Sequence, residues 1–219
     1  MLHSKKARYR LAPNRKLLMI YEHLQLFPTH LFTFEVKNHR NSDWYDYIQQ
    51  QRNPNSGGQL TSPDLHQQTL FKPLTESLIE NLKDANRLLH YSDDYRIDIT
   101  SMWGQSTTQH GPQAAQSHAN NFWTGIYCIA PDGDQAATII EFYDSRPEAH
   151  ALKPLQRPND MILSDRQAMQ LESGWGVIFP SWLQYQLRIN PQDGYSNILW
   201  TALMRGDYSS HESKQWANI

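Results

Sequence analysis

The chain has 219 residues, 39% of them hydrophobic and 19% charged, with a mean hydropathy of -0.70. Seven Trp, eleven Tyr and seven Phe supply the large rings that a packed core needs, which excludes a disordered chain. A formal net charge of -2 gives no global reason to bind nucleic acid or an anionic membrane, and the single cysteine, Cys128, excludes an intrachain disulfide and a cysteine-built zinc site.

The first 16 residues carry Lys5, Lys6, Arg8, Arg10, Arg15 and Lys16 without an acid. This is either a basic arm for a phosphate-rich partner or a solvated tail, and the lack of aromatic rings beyond Tyr9 favours the tail. No apolar run approaches the roughly 20 residues of a membrane span, and the start lacks a signal-peptide core, which predicts a cytoplasmic protein. The apolar segment 17–36 is interrupted by Pro28, predicting a short strand on each side, and its pairing with a second copy of the chain is an open option. "NSDWYDYIQQQR" (41–52) places Trp44, Tyr47 and Ile48 at helical spacing behind an Asn41 or Ser42 cap, and "NPNSGG" (53–58) is a loop. The clearest helix is 73–91, with Pro73 in its first turn and Leu74, Leu78, Ile79, Leu82, Ala85 and Leu89 along one stripe.

From about residue 95 the period changes to two. Segments 95–103, 122–130, 137–144, 176–180, 185–190 and 196–204 are six predicted strands, with turn signals at "PDGDQ" (131–135) and "NPQDG" (190–194). Helices followed by antiparallel-type strands predict an α+β fold whose strands close into a sandwich or small barrel, in one domain over 17–205 with a polar tail at 206–219.

Ten histidines and one cysteine direct the search for chemistry to histidine. His110 and His118 lie on the approach to the strand at 122–130. Alternation puts Asp144 on the face of Ile140 and Phe142, and Tyr185 on the face of Leu187 and Ile189, so His118, Asp144 and Tyr185 converge if those faces line one barrel mouth. Imidazole and carboxylate together suit a divalent metal. The plainer alternative has His118 capping a strand, Asp144 paired with Arg146, and Tyr185 packed. Cys128, in mid-strand, reads as a small buried thiol. Glu148 and His150 follow Asp144 across a proline turn, and their direction is open.

Four segments, in order, resemble a family of iron(II)/2-oxoglutarate-dependent oxygenases of bacteria, cyanobacteria and phages. They are "LQLFPTHLF" (24–32), "HANNFWTGIYCI" (118–129), "IEFYDSR" (140–146) and "ESGWGVIFPSWLQYQL" (172–187), and the likeness spans about 24–205. The resemblance implies a double-stranded β-helix (jelly-roll) barrel, an iron(II) ion held by two histidines and a carboxylate, and 2-oxoglutarate as a small-molecule co-substrate for C–H hydroxylation. On this sequence the metal positions map to Gln116, His118, Asp144 and Tyr185, with His110 or His150 as substitutes, and the co-substrate positions to Tyr127, Tyr195 and Arg146. Three places depart from the family pattern. Gln116 stands where the first histidine is expected, Tyr185 where the distal histidine is, and Tyr195 or Ser196 where an arginine would meet the co-substrate. Two functions therefore follow from the resemblance. One is an oxygenase with an unusual ligand set. The other is a non-catalytic jelly roll used for binding or structure, for example in a phage virion or its assembly, which would place it in the host cytoplasm or the particle. A sugar- or polyol-binding jelly roll, suggested by Trp103, Trp123 and Trp182, is a third.

Overall fold

The computed structural model describes residues 28–36, 41–51, 61–105, 114–130, 137–146, 165–188 and 196–206. Contacts divide the chain into residues 1–30 and 31–219, and all the elements below belong to the second. The basic arm, the strand expected ahead of Pro28, the loop at 53–58, both turn signals and the tail from 207 lie outside the described residues.

Two helices, α1 (Asn41–Gln50) and α2 (Lys72–Leu88), accompany eight strands among the described residues: β1 (Phe32–Glu35), β2 (Arg96–Gln105), β3 (Trp123–Ile129), β4 (Ala137–Tyr143), β5 (Arg166–Glu172), β6 (Trp175–Pro180), β7 (Gln184–Leu187) and β8 (Ser196–Arg205). The α+β class and all six strands predicted from residue 95 onward are present. Helix α2 stops three residues short of the predicted end. His90 takes a left-handed φ of 59°, and the Tyr91 N–H closes back on the Asn86 carbonyl at 2.9 Å, a helix stop without the glycine that usually signals one.

The strands form two sheets of antiparallel neighbours, in the orders β1-β6-β3-β8-β2 and β5-β4-β7. Outside the named strands, Gln116 makes an antiparallel bridge to Tyr185 on the side of β7 away from β4. No helix among the described residues is long and apolar enough to cross a membrane.

Two cores result, one on each face of the five-stranded sheet. On one face Trp44, Ile48, Leu74, Leu78 and Leu82 of the helices pack on Trp123, Tyr127, Ile198 and Trp200. On the other, Ile126, Cys128, Val177, Phe179 and Leu199 meet Ile140, Phe142, Tyr185 and Leu187 of the smaller sheet. Strand β3 is buried at every position because both its faces are covered, and each fully buried large side chain contributes about 1.5–3 kcal/mol. Two buried side chains tie the helices in by hydrogen bonds: Trp44 Nε1 donates to the Leu70 carbonyl at 3.0 Å, and Trp123 Nε1 to Asn86 Oδ1 at 3.1 Å. Gly125 is required by close approach, since a Cβ there would lie 2.1 Å from the Trp200 ring.

Candidate functional site

The segment 114–122 crosses the open side of β7. Its Gln116 and Tyr185 exchange both backbone hydrogen bonds, at 2.8 and 3.0 Å, which sets their side chains beside each other. Two residues on, the His118 N–H donates to the Ser181 carbonyl at 2.8 Å, holding the imidazole on the same side. Ser181 is itself buried, with its hydroxyl 2.7 Å from Thr124 Oγ1, so the "FPSWL" turn is anchored to β3. Trp182 in that turn is 51% exposed and takes no part in the core.

The side chains then form one cluster. Gln116 Nε2 donates to the Tyr185 hydroxyl at 3.0 Å, and His118 Nε2 lies 3.1 Å from the same oxygen. Tyr185 is fully buried against the edge of Phe179, with ring centroids 5.1 Å apart, and Trp103 meets His118 edge-on at 5.6 Å. Burial pushes the Tyr185 phenol well above the ordinary tyrosine range, and burial holds the His118 imidazole below the ordinary histidine value. The phenol therefore keeps its proton and His118 is neutral. A neutral imidazole has one nitrogen with a lone pair; with Gln116 Nε2 donating to the hydroxyl, the tautomer that satisfies all three groups has Tyr185 O–H donating to His118 Nε2.

His118 also lines a cleft of about 290 Å³ with Pro63, Ser101, Trp103, Asn121 and Thr201. Thr100, at an irregularity in the β2–β8 register, donates its one hydroxyl proton to Asn121 Oδ1 at 2.6 Å, and its oxygen lies 2.8 Å from the Thr201 hydroxyl, which can donate to it. Ser101 and Thr201 are register partners, which places their side chains together at the cleft wall.

The other expected site residues that the structure describes have partners of their own. Asp144 accepts two side-chain bonds from Arg146, Nε at 2.9 Å and Nη2 at 2.7 Å, together with the Arg146 N–H. The plainer alternative for that pair is the one observed, and the Arg146 charge is committed to Asp144. Tyr127, expected at a co-substrate position, faces the helix core instead, stacked on Phe34 at 6.1 Å and edge-on to Trp44. Alternation along β3 sends Ile126 and Cys128 between the sheets and Tyr127 to the opposite face. His110, Glu148, His150, Ile189 and Tyr195 lie outside the described residues. Among those described, no three His, Cys, Asp or Glu side chains group so as to hold a metal.

A second polar group sits between the sheets, at the other end of β3. Thr138 Oγ1 donates to Asn197 Oδ1 at 2.7 Å and lies 3.7 Å from Cys128 Sγ, while Asn197 Nδ2 is buried without a partner among the described residues. Burial raises the Cys128 thiol to about 11, which makes it inert, as its mid-strand place predicts. Sequence reasoning missed Asn121, Ser101 and Thr201 of the cleft and the Thr138–Asn197 pair. The available signal was a polar residue inside an otherwise apolar strand.

Comparison with known proteins adds no assignment: no family model matches the chain, and no curated protein matches it significantly.

Proposed function

We propose that this chain is a double-stranded β-helix domain of the iron(II)/2-oxoglutarate oxygenase type in which the metal position is closed by a neutral hydrogen-bond chain, and that it acts as a binding or structural module. The fold part is supported by strand order. Strands β2, β3, β6 and β8 share one sheet, β4, β5 and β7 the other, and Gln116 extends the second sheet next to β7, so the chain winds back and forth between two facing sheets.

The functional part rests on one observation, the Gln116–Tyr185–His118 chain. These residues do not fit iron(II). The imidazole lone pair already receives the Tyr185 proton, and Gln116 turns its N–H side toward the site. Removing the phenol proton at pH 7 costs about 4 kcal/mol from the reference tyrosine value alone, and burial adds to it. The one nearby carboxylate named by the resemblance, Asp144, is held on both oxygens by Arg146. A 2-oxoglutarate carboxylate fares no better. The first residue of β8 facing between the sheets is the neutral Asn197. Arg188 is bound to Glu141 and Arg205 to Asp98.

The test is anaerobic titration of iron(II), or manganese(II) as its surrogate, into the purified chain, followed by metal analysis. Wild type is expected to take up no stoichiometric metal at micromolar concentration. The double variant Gln116→His/Tyr185→His is expected to gain affinity sharply. Micromolar or tighter binding by wild type, or succinate formation with oxoglutarate, would restore the oxygenase reading.

A further inference from the structure

We propose that the cleft beside His118 binds a small, uncharged, polyhydroxylated molecule, of the size of one monosaccharide ring or a short polyol. The inference rests on the reading above in one respect, that His118 Nε2 is occupied by Tyr185 and not by a metal.

Among the described residues the lining is neutral: one proline, one indole, one imidazole, one amide and two hydroxyls. A charged ligand placed there would give up water with no opposite charge among the described lining residues to meet it, at a cost of several kcal/mol. A hydroxyl-bearing ligand trades its water hydrogen bonds one for one. The cleft supplies the groups for that exchange. Asn121 Oδ1 is taken by Thr100, which leaves Nδ2 as a donor. With His118 Nε2 accepting from Tyr185, the imidazole proton sits on Nδ1, a second donor; in the other tautomer Nδ1 is an acceptor, which a ligand hydroxyl also satisfies. Ser101 Oγ serves as donor or acceptor. None of these three atoms has a hydrogen-bond partner among the described residues.

The indole of Trp103 completes the site. It is fixed at both ends, edge-on to His118 and with Nε1 donating to Gln105 Oε1 at 3.1 Å, so little side-chain freedom is lost when a ligand packs on it. A flat ring beside convergent hydrogen-bonding groups suits a molecule with C–H faces and a hydroxyl rim. The volume, about 290 Å³, lies at the lower end of the roughly 300–1,000 Å³ usual for small-molecule sites, which favours one ring over a chain of them.

The experiment is saturation-transfer NMR on the full chain with a chelator present, using glucose, galactose, mannose, N-acetylglucosamine and glycerol as probes and 2-oxoglutarate as the charged comparison. At least one neutral probe is expected to give a saturable signal, and 2-oxoglutarate none that competes with it. Ser101→Ala removes one ligand hydrogen bond and no internal one, so it is expected to weaken binding about three- to tenfold at an unchanged melting temperature. Ser101→Leu fills the cleft and is expected to abolish binding. No saturable signal from any neutral probe, or binding that survives Ser101→Leu, overturns the inference. If the same protein also ignores iron(II), the closed-site reading stands and only the ligand class falls. If it binds iron(II) tightly, both fall.

Discussion

Two of the polar groups between the sheets are satisfied to different degrees. At one end Gln116, Tyr185 and His118 form a chain in which the phenol hydroxyl both accepts and donates. At the other end Thr138 serves Asn197 Oδ1, but Asn197 Nδ2 is buried with no partner among the described residues. The first group is organised around a large ring packed on Phe179; the second is built from small side chains paired across the sheets. An unsatisfied buried amide costs about 1–3 kcal/mol, whereas a satisfied network holds its members in one arrangement. The contrast teaches that the Tyr185 end, the mouth of the proposed barrel, is the better satisfied of the two.

The largest effect is expected at the ring. Tyr185→Ala removes a fully buried aromatic side chain and both hydroxyl bonds, and should cost about 3–5 kcal/mol in denaturant unfolding. A loss under about 1 kcal/mol would mean that the mouth collapses easily and is no rigid cluster.

Next comes the far end, where the comparison is sharpened by a pair of variants. Thr138→Val takes the last partner from Asn197 and should cost about 1–3 kcal/mol. Adding Asn197→Leu removes the stranded amide as well. The double variant should recover most of the loss, coming within about 1 kcal/mol of wild type, because two apolar groups of similar size leave nothing unsatisfied. Additive losses would show that the amide is bonded after all, and the difference between the two ends would vanish.

These residues also show what the letters could and could not disclose. Strands β3 and β8 were legible because apolar residues fill both their faces, and the place of Tyr185 followed from alternation with Leu187 and from the "FPSWL" turn before it. Burial on both faces also hides which face is which, so the strand's own pattern does not oppose the place that the resemblance implies for Tyr127, although the ring packs under the helices. Strand β5 was missed because it is an edge strand whose apolar alternation in "RQAMQLE" is short, confined to Met169 and Leu171. Asp144 and Arg146 are two residues apart, and local pairing of that kind is visible in sequence. The Thr138–Asn197 bond spans 59 positions and depends on how the two sheets face each other, which no local pattern encodes.

The smallest effect is a pH dependence at the mouth, and it tests the polarity of the hydrogen-bond chain. Burial holds His118 below the ordinary histidine value of about 6.5, so the folded chain binds fewer protons at this ring than the unfolded chain does. The stability that His118 contributes is then fully present above about pH 6.5 and drains away as pH falls from there through the folded value. In His118→Gln the amide oxygen can still accept from Tyr185 but cannot titrate, and all other histidines are common to both proteins. The stability gap between wild type and variant, measured by denaturant unfolding from about pH 8 to about pH 5, should therefore shrink toward the acid end. A gap that widened in acid would mean that the folded ring prefers its proton. Nε2 would then be a donor, the Tyr185 proton would have no lone pair to go to, and the neutral chain at the mouth would have to be redrawn.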